Sequence, residues 1–137
     1  MKIRFVMILV ALFATTLSSA SMPCLHYGGD PIILTGKVKL QTFYGPPGYG
    51  ENPDTDSRER QAILVLSEPI CVEANPNNYE EAEHNQSEVT LVPHNNENLK
   101  DYVGKEIKVK GTLYHAHTAH HHTRVLINIL HIEKSGE

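Results

Sequence analysis

An all-β fold, a small five-stranded barrel of OB-like order, is what this sequence predicts, and three observations carry it. Apolar and polar residues alternate over two long stretches, 32–43 and 105–114, with the period of a half-buried strand. A glycine sits on the apolar side of each stretch, Gly36 and Gly111, as happens where a strand bends or another backbone comes close. Three shorter strand-like runs and one capped turn complete an order that fits an OB-type barrel with a short helical turn between strands three and four.

The first twenty residues stand apart from that fold. Lys2 and Arg4 open them, the apolar run 5–13 (FVMILVALF) follows, and Ser18-Ser19-Ala20 supplies the small residues of a cleavage site. The pattern predicts a signal peptide removed near Ala20. Its apolar run is far below the roughly 20 residues of a spanning helix, so no membrane span is expected. Ser21-Met22-Pro23 before Cys24 lacks the small, compact pattern of a lipoprotein site. Residues 21–137 then form a single domain, periplasmic or secreted, large enough for one modest core.

Removing Lys2 and Arg4 takes the formal net charge from −4 to −6. An acidic surface repels phosphate backbones, which speaks against a nucleic-acid partner. Cys24 and Cys71 are the two cysteines, and an even pair in an oxidising compartment is most simply a disulfide. A metal or nucleophilic role for either is the alternative.

In chain order, Ile32, Leu34, Val38 and Leu40 share the buried face of strand one. Residues 44–60 (YGPPGYGENPDTDSRER) hold three prolines and three glycines and read as a long irregular loop. Asp54 and Asp56 resemble the start of a calcium loop, but the glycine and distal glutamate of an EF-hand are missing. Residues 61–67 form strand two, ended by Glu68-Pro69, with 70–72 extended beyond it. A polar surface loop spans 75–87 and contains the sequon Asn85-Gln86-Ser87. Strand three covers 88–92. Asn95 to Asn98 can then cap one or two helical turns stopped by Gly104, with Leu99 and Val103 facing the core. Strand four turns Ile107, Val109 and Leu113 inward. Strand five, 124–132, is apolar on both faces apart from Asn128 and His131, and His131 is expected to be packed.

From Cys24 to His131 the chain resembles the DUF4431 family of exported bacterial domains. The matching residues are Cys24 with Tyr27, Leu34-Thr35-Gly36, Phe43-Tyr44-Gly45-Pro46-Pro47 with Tyr49, and Leu66 with Pro69-Ile70-Cys71-Val72. Val103-Gly104-Lys105, Val109 to Leu113, and the turn Ala116-x-Thr118-x-His120-His121-His122-Thr123 follow. The resemblance implies an exported bacterial barrel, sometimes attached to lysozyme-inhibitor-like domains, and brings no established activity. His115 and His117 lie outside its pattern.

Five of the nine histidines fall between His115 and His122. Neutral imidazoles bind zinc, copper or nickel, and three well-placed ones make a catalytic-type site. His115 and His117 would share one face of a strand, with His120 or His122 folding back as a further ligand. His120, His121 and His122 cannot all converge, because adjacent extended side chains point apart. The competing expectation is that His121, Thr118 and Thr123 bond the turn's own backbone and stiffen it. No Gly-x-Ser-x-Gly elbow and no phosphate-cradling loop appears. A hydrolase built on His121 with Asp54 or Asp56 is the remote enzymatic alternative.

The expected function is therefore a non-enzymatic exported binding module, of inhibitor or immunity type, with no cofactor. Its contact surface would be loops 44–60 and 115–123, with Tyr44, Tyr49, Thr118, His120, His121 and Thr123 meeting a protein or cell-wall ligand. The alternative is a periplasmic zinc-, copper- or nickel-binding protein using His115, His117, His120 and His122.

Overall fold

Five strands close into one barrel in the computed structural model, which describes residues 21–136. The stretch 1–20, expected to be a signal peptide, lies outside the described residues. The strands are β1 (Ile32–Tyr44), β2 (Arg58–Val72), β3 (Glu83–Val92), β4 (Glu106–His115) and β5 (Val125–Lys134). Their order around the barrel is β1-β2-β3-β5-β4, with β4 returning to β1. All pairings are antiparallel except β3 with β5. That is the OB-like arrangement expected, and a short 3-10 turn, Leu99–Tyr102, sits between β3 and β4.

The alternation in the sequence puts Leu34 and Val38, Leu64 and Leu66, Val89 and Leu91, Ile107, Val109 and Leu113, and Val125, Ile127 and Ile129 into one core. Gly36 pairs with Leu66 on one side and Ile107 on the other. A Cβ there would lie 2.3 Å from the Val65 carbonyl oxygen. At Gly111 it would lie 2.2 Å from the Asn128 oxygen, beside a register shift in the β4–β5 ladder. Both glycines are thus places where the neighbouring backbone comes too close for a side chain.

Two elements run longer than their sequence signals. β2 starts at Arg58 and passes through Pro69. Its ladder with β1 ends at Leu66, and its ladder with β3 shifts register between Val65 and Ile70, so the missing amide of Pro69 breaks no regular pairing. β3 begins at Glu83, inside the expected loop. In the turn before β4, Val103 is 41% exposed, whereas Leu99 and Tyr102 pack against the core. A single 3-10 turn does not hold positions four apart on one face, which is why Val103 departs from expectation. His131 is exposed and lies 3.5 Å from Glu133, since it projects outward from the barrel wall.

Cys24 and Cys71 form a disulfide. Leu25 donates its amide to the Cys71 oxygen, Glu73 donates back to Leu25, and Gly28 donates to Leu113, each at 2.8 Å. The amino-terminal segment thereby lies along the end of β2 and reaches β4. Tyr27 follows it into the core, its hydroxyl donating to the Glu81 oxygen at 2.9 Å. Burial first, then the charges of Glu83, Glu80 and Glu81, push the Tyr27 phenol up to about 12. Among the described residues no helix is long and apolar enough to cross a membrane.

Gly36→Ala and Gly111→Ala should each destabilise the barrel by about 1–3 kcal/mol through overpacking, read as a lower urea midpoint. The double change Cys24→Ser with Cys71→Ser should cost about 2–4 kcal/mol, since the bridge closes a loop of sequence separation 47.

Candidate functional site: a histidine arm laid on the barrel wall

The outer face of the barrel explains where the histidines go. Ladder pairing runs in one row from Lys39 to Ile63, Thr90, Leu126 and Tyr114. Alternation places this row on the wall opposite the core. Yet Ile63, Thr90 and Leu126 are 0%, 4% and 1% exposed. The arm joining β4 to β5, residues 116–124, folds back over them.

Polar groups hold the arm down. The Thr123 hydroxyl donates to the Val125 oxygen at 2.7 Å, accepts the Thr90 amide at 3.1 Å and meets the Thr90 hydroxyl at 2.7 Å. Gln61 Nε2 donates to the His120 oxygen at 2.7 Å. Glu59 bridges two imidazoles, His120 through Nδ1 and His122 through Nε2, the latter at 2.9 Å. Phe43, directly opposite Glu59 in the β1–β2 ladder, stacks flat on the His122 ring at 4.2 Å between centroids. The hydrogen bond from His122 is the largest influence holding Glu59 below the usual carboxylate range; burial opposes it and His120 adds to it.

His121 faces the other way, as the alternation of adjacent side chains requires. Its Nδ1 accepts the His117 amide at 3.0 Å, and its own amide donates to the Thr118 oxygen at 3.1 Å. Its ring meets Tyr114 and His117 edge to face. Burial first, then the nearby His117, His120 and His122, push the imidazole below its ordinary 6.5. An Nδ1 that accepts a hydrogen bond favours the neutral ring in the same direction.

The loop between β1 and β2 is equally fixed. Asp56 is buried, and its carboxylate accepts the amides of Gly48 and Gly50 at 2.8 Å and of Asn52 at 3.1 Å. Burial pushes that carboxyl up, but the three amides and Arg58 outweigh it and the net shift is downward. Asp56 is therefore an internal staple. Arg58 lies 4.0 Å over the half-exposed Tyr44 ring. Tyr49 takes a left-handed backbone (φ 49°), and its hydroxyl bonds His120 Nε2 at 3.1 Å.

The loop and the arm therefore meet, as expected, but the four histidines of the metal reading do not converge. β4 ends at His115, so the alternation that would align His117 with it stops. His115 Nε2 bonds Glu83 Oε1 at 2.7 Å, its amide donates to Glu80 Oε1 at 3.2 Å, and His117 leans on His121. Among the described residues, the three potential ligands that do converge are Glu81, Glu83 and His115, their ligating atoms within 4.8 Å of one another. The His121–Asp54 or His121–Asp56 pairing is also absent among the described bonds, since Asp56 turns inward. Thr118 lies exposed at the tip of the arm. Nothing in the linear pattern marks Glu59, Gln61 and Phe43 as partners of the arm: Glu59 falls in the irregular stretch 44–60, and Phe43 and Gln61 sit at strand ends 59 or more positions before it. The signal nearest to it is that Glu59 lies two residues before the run 61–67 of strand two.

Thr123→Val should leave the Thr90 amide unpaired and cost about 1–3 kcal/mol, measured by denaturant unfolding. Acidification should loosen the arm. The folded chain binds fewer protons at His121 than the unfolded chain does below pH 6.5, so this contribution is present above that pH and is lost as pH falls. Amide protection of residues 117–121 should drop across that window, and His121→Asn, which keeps an acceptor for the His117 amide, should flatten the dependence.

No curated protein and no solved structure matches the chain. The family match is shorter than the Cys24–His131 span of the resemblance and takes in most of β3, all of β4, the arm and most of β5. Over these elements, residues 87–133, the chain matches the family described as Domain of unknown function (DUF4431).

Proposed function

We propose that the chain is an exported, non-enzymatic binding module that offers loop 45–57 and arm 116–124 as one preformed surface to a protein or cell-wall ligand. An inhibitor or immunity-type partner of a wall-active enzyme is the concrete form. The observation that carries this is the double engagement of Glu59, which ties His120 and His122 to the barrel wall beside Tyr49 and Phe43. The imidazoles hold the surface in shape, and a surface already ordered loses less entropy on binding. The wall of β2 and β3, which OB-type barrels use with their flanking loops for ligands, is covered here by the arm, so the arm's outer side becomes the contact face.

Copurification and binding assays with lysozyme-like and amidase-type enzymes and with peptidoglycan fragments test it. One of these should bind, and Glu59→Ala, which frees the arm, should weaken that binding by roughly tenfold, or 1.4 kcal/mol. If none of them binds, the concrete form is wrong.

A second reading is divalent-metal binding, now at Glu81, Glu83 and His115, which keeps only one of the four expected histidines. Mixed carboxylate and imidazole ligands suit zinc, with copper and nickel as competitors. Calorimetry at neutral pH should give a micromolar or tighter site that His115→Ala removes and that weakens below about pH 6. Absence of heat at millimolar protein ends this reading.

A further inference from the structure

Beside the arm, on the side away from Glu59, a cleft of about 850 Å³ opens between the turn at 75–80 and the β4–β5 hairpin. Its rim carries an unusual residue. Tyr79 is 94% exposed and holds a left-handed backbone with φ 57°. A bulky residue rarely adopts that conformation, and here no burial of its ring offsets the cost. The turn that displays it is rigid: Asn75 and Glu80 exchange both backbone hydrogen bonds, at 2.8 and 3.1 Å, and Tyr79 donates to the Pro76 oxygen. An aromatic side chain held out into solvent by a hydrogen-bonded turn beside a cleft is available for a ligand to stack on.

The lining states the class of ligand. Asn77, Asn78 and Asn128 bring carboxamides, and Tyr114 brings a second aromatic ring. No lysine or arginine lines the cleft, and the one carboxylate, Glu80, is already bonded to Asn75 Nδ2 and the His115 amide. Phosphate and sulfate esters would meet no permanent cation there, only the imidazoles of His115, His117 and His121, on a chain of net charge −4. A lipid would find only a small apolar area there, shared among two tyrosines, carboxamides and imidazoles, well short of a patch that could bury a chain. A neutral, hydroxyl-rich ligand fits both features. Carboxamides donate and accept side by side, as vicinal hydroxyls require, and the electron-rich face of a tyrosine meets the C–H face of a pyranose.

We propose that this cleft binds a neutral oligosaccharide, with Tyr79 as the stacking platform and Asn77, Asn78 and Asn128 as hydroxyl partners. The proposal rests on the reading of the chain as a binding module and names a ligand class for a cleft that shares Ala116, His117 and His121 with the arm but takes in none of the residues that Glu59 clamps.

The test titrates the folded protein with an N-acetylglucosamine tetramer, with a cello-oligosaccharide and with a sulfated oligosaccharide, following amide resonances and heat. A neutral sugar should bind and shift residues 77–80 and 128. Tyr79→Ala should weaken it roughly tenfold, about the value of one aromatic contact with its buried area. Because Tyr79 is exposed, this variant keeps the fold. Binding of the tetramer alone would narrow the ligand to acetamido sugars, and binding of both neutral chains would leave the class broader. Preference for the sulfated chain, or sugar binding indifferent to Tyr79→Ala and Asn128→Ala, overturns the proposal. If no sugar binds while a wall-active enzyme is captured in a Glu59-dependent way, the cleft proposal fails alone. If neither binds, the binding-module reading fails with it.

Discussion

Gly36 is paired on both sides, with Leu66 across β2 and Ile107 across β4, and its missing side chain lets the Val65 carbonyl approach. β1 can bend far enough to serve both neighbours only because nothing projects at that point. Closure removes the free edges that a five-stranded sheet would otherwise expose. It also fixes the direction of every other strand. Gly111 repeats the device where β4 meets β5, with a bulge that leaves Leu130 exposed. Once the wall is closed, the loop after β1 and the arm after β4 emerge close enough to touch.

What they make of that proximity depends on one carboxylate. Glu59 stands at the start of β2 on the outer wall, opposite Phe43, and receives His120 and His122 from the arm. The ring of His122 then lies flat on Phe43. Thr123 completes the attachment on β3. Each of these is a modest interaction at a partly exposed site. Together they cover Ile63, Thr90 and Leu126, and that burial of apolar area is what makes the docked arm the stable state. A side chain that looks suited to catalysis or metal capture is thereby engaged in shaping a surface.

The arm also divides its two flanks by chemistry. One flank meets the proline- and glycine-rich loop stapled by Asp56. The other meets a carboxamide- and tyrosine-lined cleft and, next to it, the acidic group around His115. Tyr114 and His121 line that cleft, whereas His120 meets Tyr49 of the loop.

Much of the fold was present in the linear pattern. Period-two alternation, two interrupting glycines, an even cysteine pair and a polar stretch before Gly104 determine five strands, the inward faces of β1 and β4, the disulfide and the OB-like order. They do so because burial is read locally, one residue in two. β5, apolar on both faces, leaves its facing open, and Asn98 makes no side-chain cap on the turn. The ends of β2 and β3 were not determined locally: Pro69 and the polar residues 83–87 join strands because neighbouring chains offer them partners. The site was legible only as a place. That loop 44–60 and the histidine turn belong together follows from strand order. Which histidine points where does not, since Glu59, Gln61 and Thr90 lie 33 to 63 positions away in the chain. Closure brings them under the arm, and the partner that each imidazole finds there decides its role.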